Sequence, residues 1–158
     1  MRDSAIRPQF RFWSAWHGLA LILLVAPAAG YTQELRVLKP EDIQWTQRRS
    51  APDVFFAAIY GEQSQPGPYA FRIRAQAGHS LPPHTHPDER TITVLSGTYW
   101  AGVGASYDES ALVPYPAGTF YVIPAGVPHY AAVLQGEVLF QEAGVGPSRF
   151  DVINAQTK

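Results

Sequence analysis

Cysteine is absent from all 158 residues. That removes disulfides, thiolate metal ligands, thiol nucleophiles and cysteine-linked lipids at one stroke. Any metal this chain holds must therefore rely on nitrogen and oxygen ligands. Charge is sparse as well: 16% of residues are charged and the formal net charge is −1. Arg36, Lys39, Arg48, Arg49, Arg72, Arg74, Arg90, Arg149 and Lys158 form no stripe or long run, so nucleic acid is not an expected partner. Repeats of twenty to fifty residues and low-complexity tracts are missing after the first thirty residues, which excludes solenoids and propellers. A helical stripe of convincing length is missing too, and helix is expected to amount to a turn or two.

What is present suits one domain. With 46% hydrophobic and 13% aromatic residues, the chain can bury one core but hardly two. Its first thirty residues differ from the rest. Arg2, Arg7 and Arg11 precede an apolar run at 19–26, which Pro27, Ala28, Ala29 and Gly30 follow. A basic start, a short hydrophobic middle and a small-residue end make a secretory signal peptide, with cleavage expected near Ala28 or Gly30. An uncleaved anchor is the competing reading. It needs about 20 apolar residues, found only by including Phe12, Trp13, Trp16 and His17. Removing residues 1–30 takes away three arginines and one aspartate. The mature part keeps 9 basic and 12 acidic side chains, a net of −3. The expectation is a secreted or periplasmic domain spanning 31–158, with no stable membrane association after cleavage.

Short β-rich runs between Gly and Pro punctuation predict an all-β domain. The expected strands are 54–60, 69–77, 91–103, 119–123, 129–134, 138–143 and 150–153. Prolines 66 and 68 around Gly67, prolines 82 and 83, and prolines 114 and 116 before Gly118 read as connections and strand caps. Run 69–77 alternates well: Phe71, Ile73 and Ala75 share one face, Arg72, Arg74 and Gln76 the other.

Four histidines follow the signal segment, at 79, 84, 86 and 129. His84 and His86 are two apart, so on an extended chain both imidazoles share a face. Pro82, Pro83 and Pro87 stiffen that segment and lower the entropy lost on ordering ligands. Alone, a His-x-His pair is weak, since two surface histidines in a polar loop would look the same. Residues 118–129 add Gly-Thr-Phe-Tyr-Val-Ile-Pro-Ala-Gly-Val-Pro-His, a strand opened by glycine and left through a Pro-x-Gly turn before His129. His79 reads as a polar turn residue and is set aside.

These two segments resemble the cupin superfamily, in its small single-domain, type-2-like form. Gly78, His84, His86 and Gly97 match the first cupin motif, and Gly118, Pro124, Gly126 and His129 the second. With the strand pattern, the resemblance extends over about residues 50–153. It implies a double-stranded β-helix, the cupin jelly-roll barrel, with one divalent transition metal ion (Zn, Fe, Mn, Ni or Cu) held inside by His84, His86 and His129. It also implies a small-molecule ligand and a homodimer.

Two departures stand out. The usual first motif has a glutamate ligand about four residues after its second histidine; here Arg90 stands there and Glu89 comes one place early. If strand parity runs back from Val94 and Ile92, Arg90 faces the interior and Glu89 faces out. Three histidines would then hold the ion, and Arg90 would offer a forked cation to an anionic ligand. If a bulge re-aims the chain, Glu89 becomes the fourth ligand and Arg90 a surface charge. The three-histidine form is the one favoured. In the second motif, Val133 replaces the usual asparagine. Arg90, Tyr121 and Gln141 are the catalytic candidates, with Tyr99 and Trp100 also possible lining residues.

The leading expectation is an exported mononuclear metal-binding cupin acting on a small, anionic molecule, as a dioxygenase-like or isomerase-like enzyme. The alternative is a module that binds a small ligand or metal without turnover. A structural ion in an interaction or storage protein is the third reading, against which the presence of all three histidines speaks.

Overall fold

Two antiparallel sheets stand face to face in the computed structural model, which describes residues 34–48 and 51–154. The signal-peptide segment expected at 1–30 lies outside them. The strands are β1 Thr46–Arg48, β2 Ala51–Tyr60, β3 Gly67–Gln76, β4 Ser80–Thr85, β5 Arg90–Ser96, β6 Thr98–Val103, β7 Val113–Pro116, β8 Phe120–Ile123, β9 His129–Ala132, β10 Glu137–Gly146 and β11 Asp151–Val152. Among the described residues, helix is confined to two three-residue 3₁₀ turns, Pro40–Asp42 and Glu109–Ala111. No described helix is long and apolar enough to cross a membrane. One sheet has the order β1-β2-β3-β10-β5-β8, the other β11-β4-β9-β6-β7. This is the all-β, double-stranded β-helix architecture expected from the sequence.

The alternation in β3 holds: Ile73 and Ala75 are buried, with Arg72 and Arg74 on the other face half-buried. β5 alternates likewise, burying Arg90, Ile92 and Val94. Val54, Ile73, Ile92, Val94 and Phe140 from the first sheet meet Tyr99 and Ala131 from the second in the main core. Burying each such larger apolar side chain contributes about 1.5–3 kcal/mol, and this core fixes the two sheets around the space between them.

Three expectations about strands need correction. The run 91–103 is two strands, because Gly97 turns the chain at φ +74° and a Cβ there would lie 2.2 Å from the Glu137 carbonyl oxygen. Prolines 82 and 83 do not merely precede a strand. They sit inside β4, between β11 and β9, where the register with β9 shifts between Leu81 and His84. An irregularity tolerates prolines because no ladder N–H is required of them there. Prolines 114 and 116 lie in β7, which is an edge strand of its sheet and can likewise spare their N–H groups. β1 had no expectation attached to it.

Candidate metal centre and adjoining cavity

His84 is the last residue but one of β4 and lies opposite His129, which opens β9. His86 follows one residue beyond β4, and all three histidines are buried. Their rings crowd together: the centroids of His84 and His129 are 4.1 Å apart, His84 and His86 4.9 Å, and His86 and His129 5.3 Å. One ring nitrogen from each lies within 4.8 Å of the other two, so one ion could engage all three.

Each imidazole is oriented by a main-chain carbonyl. Nδ1 of His84 pairs with the Pro82 carbonyl at 2.7 Å, Nδ1 of His129 with the Val127 carbonyl at 2.9 Å, and Nδ1 of His86 with the Arg149 carbonyl at 2.6 Å. A carbonyl only accepts, so Nδ1 carries the proton and the Nε2 lone pair is the one left for a metal. His84 and His129 share one local device. A proline precedes each, Pro83 and Pro128, and its fixed φ holds the preceding carbonyl beneath the ring. Burial lowers the pKa of His84 to about 3 and that of His86 to about 4, against the opposing hydrogen bonds to Pro82 and Arg149. Burial also lowers that of His129, against its bond to Val127. The three rings are thus neutral at ordinary pH, as metal ligands must be.

Arg90 faces inward, as strand parity predicts, and is 2% exposed. Both terminal nitrogens of its fork are already engaged, while the buried Nε has no partner among the described residues. Nη1 donates to Glu142 Oε2 at 2.9 Å, and Nη2 donates to Asp88 Oδ1 at 3.0 Å and Ser148 Oγ at 2.8 Å. Asp88 accepts further bonds from Tyr69 Oη at 2.5 Å and from Ser148 Oγ. The expected free cation for an anionic ligand is therefore corrected: two carboxylates already compensate the guanidinium. Burial alone would raise the pKa of Asp88, but the bonds from Ser148, Tyr69 and Arg90 hold it below the usual value. Burial raises that of Glu142, with Arg90 pulling the other way.

The other candidates sit elsewhere. Glu89 is exposed and outside the histidine group, so the form with Glu89 as fourth ligand does not match this geometry. Gln141 alternates away from the buried Phe140 and Glu142 and accepts a bond from Arg72 Nε at 3.2 Å on the other face of the sheet. Tyr121 packs against the main core and stacks on Tyr115 with centroids 4.8 Å apart, outside the cavity wall. Of the two lining candidates, Tyr99 is in that wall and Trp100 packs with the second, smaller cluster of Leu112, Tyr130 and Ala132. Sequence reasoning missed Glu142, although parity with Val138 and Phe140 would have placed it inside. It also missed Asp88 and Phe150, which loops bring to the site and for which no periodic signal existed.

A cavity of about 390 Å³ adjoins the histidines. Its wall is mostly apolar, with Phe71, Ile73, Leu81 and Phe140 among its residues, and it includes His79, Arg90, Glu142 and Phe150. His79, read from sequence as a turn residue, does follow the turn after β3, yet it is also one of the residues that line this cavity.

Residues 71–140 match the family model of the cupin domain, and the chain thus carries a small cupin domain. No curated protein matches it. Solved structures do. The polyketide cyclase RemF from Streptomyces resistomycificus is similar with a TM-score of 0.62 and 18% identity, over 78% of this chain and 89% of that one. An RmlC-like cupin from Ralstonia eutropha matches with a TM-score of 0.60 and 18% identity, over 77% and 78%. Salicylate 1,2-dioxygenase from Pseudoaminobacter salicylatoxidans, in complex with gentisate, matches with a TM-score of 0.54 and 14% identity, over 66% of this chain and 30% of that one. At such identities the likeness concerns the fold.

Proposed function

We propose that this protein is an exported mononuclear metal-binding cupin whose ion, held by His84, His86 and His129, binds a small molecule in the adjoining cavity. The observation that carries the reading is the trio of buried imidazoles, each with Nδ1 committed to a carbonyl and Nε2 left over. Three ligands leave coordination positions for water or a ligand, unlike the closed four-ligand arrangement of structural sites. Such an ion supplies a Lewis acid or, if redox-active, a centre for dioxygen chemistry. The protein's own part is to hold neutral ligands in place and surround the bound molecule with apolar wall. An anionic group on that molecule would meet the ion rather than Arg90, whose charge Asp88 and Glu142 already balance.

One observation favours binding without turnover as the second reading. Asp88, Arg90 and Glu142, the charged side chains beside the histidines, are tied to one another and to Ser148, so none of them is spare for proton transfer. Export rests on the basic, apolar and small-residue segments of 1–30. A homodimer belongs to the same proposal, with the exposed Phe120 and Val122 of edge strand β8 as a surface to cover.

Elemental analysis of the protein purified without added metal, beside His84→Ala, tests the reading. One transition-metal ion per chain, lost in the variant, is expected. Iron, manganese, nickel or copper would point to oxygen or redox chemistry and zinc to hydrolytic or isomerase chemistry. A metal-free protein that takes up no ion would overturn the proposal.

A further inference from the structure

The cavity has a second polar end. Phe71, Ile73 and Ala75 of β3 all line it. Phe71 pairs in register with Glu142, which contacts Arg90 beside the histidines, whereas Ala75 pairs with Val54. Four residues of strand separate Phe71 from Ala75, about 13 Å. At the Ala75 end stands His79, just past the turn that follows β3. Its Nδ1 lies 2.8 Å from Oδ2 of Asp53, the neighbour of Val54. His79 is one of the residues that line the cavity, 18% of its side chain is exposed, and its Nε2 has no partner among the described residues. Between the two ends the wall is apolar, with Ile73, Phe140 and Leu81.

A carboxylate at Nδ1 fixes that nitrogen as the N–H and leaves Nε2 as an acceptor in the neutral ring. An acceptor of fixed direction in a mostly apolar wall selects ligands that donate to it, because a ligand without a donor would leave it unsatisfied. Spread over about 13 Å of strand, the volume of about 390 Å³ corresponds to a mean cross-section of about 30 Å². That is the section of a flat ring system or an alkyl chain lying lengthwise.

We propose that the cavity takes an elongated small molecule with an apolar body and two polar ends: an oxygen donor that reaches the ion at His84, His86 and His129, and a hydroxyl that donates to Nε2 of His79, which Asp53 positions. This rests on the metal-site reading for one of its ends only. His79 is then a specificity-determining residue, and it is not required for holding the ion.

Two probes of suitable length separate the ends: 4′-hydroxybiphenyl-4-carboxylate and biphenyl-4-carboxylate, titrated calorimetrically into the zinc-loaded protein. The hydroxylated probe should bind about tenfold more tightly, as one well-made hydrogen bond allows. In His79→Leu that advantage should vanish while the affinity for the plain probe stays the same, and in Asp53→Asn it should shrink. His79→Gln, which keeps an acceptor, and Asp53→Asn provide the comparison if His79→Leu does not fold. Equal affinity for both probes in the unmodified protein, binding of neither, or an unchanged advantage in His79→Leu would overturn the proposal. His84→Ala distinguishes the two readings. If the hydroxyl advantage persists in that variant and the affinity for the carboxylate is undiminished, the His79 end stands and the metal end fails.

Discussion

Phe150 lies flat against the His84 imidazole, with ring centroids 4.1 Å apart and planes inclined by 23°. It comes from the short segment between β10 and β11 whose Arg149 carbonyl orients His86. One stretch of chain therefore both aims one ligand and covers another. Phe150→Ala should leave the metal stoichiometry at one per chain but let a chelator strip the ion several-fold faster, because a stacked pair contributes about 0.5–1.5 kcal/mol. Stopped-flow removal by a coloured chelator measures it, and an unchanged rate would mean that the stack does not guard the site.

His84→Ala and His129→Ala should each abolish stoichiometric metal binding under chelator competition, since two imidazoles seldom retain an ion alone. His79→Ala should not. Full occupancy in either of the first two variants would sink the ligand assignment.

Arg90→Ala should act on stability before it acts on ligand affinity. Removing the guanidinium strands Glu142 and Asp88 in the interior, and breaking a buried ion pair in this way costs about 3–5 kcal/mol. The double variant Arg90→Met with Glu142→Leu should recover much of that loss, because it leaves fewer buried charges without a partner. Urea denaturation of the three proteins checks this. A single variant as stable as the parent would show the cluster to be energetically idle.

Acid should destabilise the metal-free protein well above the usual carboxylate range. The histidines have lowered folded-state pKa values, about 3 for His84 and about 4 for His86, against 6.5 when unfolded. As the pH falls below 6.5 the unfolded chain takes up protons that the folded chain refuses. The stability these groups contribute is fully present above about pH 6.5 and is lost progressively as the pH drops toward about 4 for His86 and about 3 for His84. Urea midpoints at pH 7.5, 6 and 5 should therefore decline in order, and a flat series would contradict neutral, buried histidines. The metal affinity of the folded protein should instead hold over that interval and fall only as the pH approaches the folded-state values of about 4 for His86 and about 3 for His84, where protons and the ion compete for Nε2.

Much of this was legible in the sequence because it was periodic or motif-bound. The alternation of Phe71, Ile73 and Ala75 defined a wall, and the parity of Val94 and Ile92 put Arg90 inside. What the sequence could not show was the partner of Arg90. Asp88 reaches it from a loop and Glu142 from a strand fifty residues away, and pairing at that distance leaves no trace in spacing. Gln141 is among the candidates read from the sequence and Glu142 is not, although strict alternation from Phe140 places Glu142 inside. The prolines of β4 misled for a different reason: a register shift makes room for them, and such shifts depend on the neighbouring strand. His79 looked like a turn residue and is one, yet the turn happens to overhang the cavity.

The carbonyls of Pro82, Val127 and Arg149, which aim the three imidazoles, belong to the main chain. A side-chain substitution at position 149 leaves its oxygen available, whereas the loss or gain of one residue between β10 and β11 would carry that oxygen away from His86. The centre should thus tolerate replacement at the positions that orient it and resist changes in loop length. Its integrity is encoded in the path of the backbone, and descendants of this sequence would be expected to vary in letters there while keeping count.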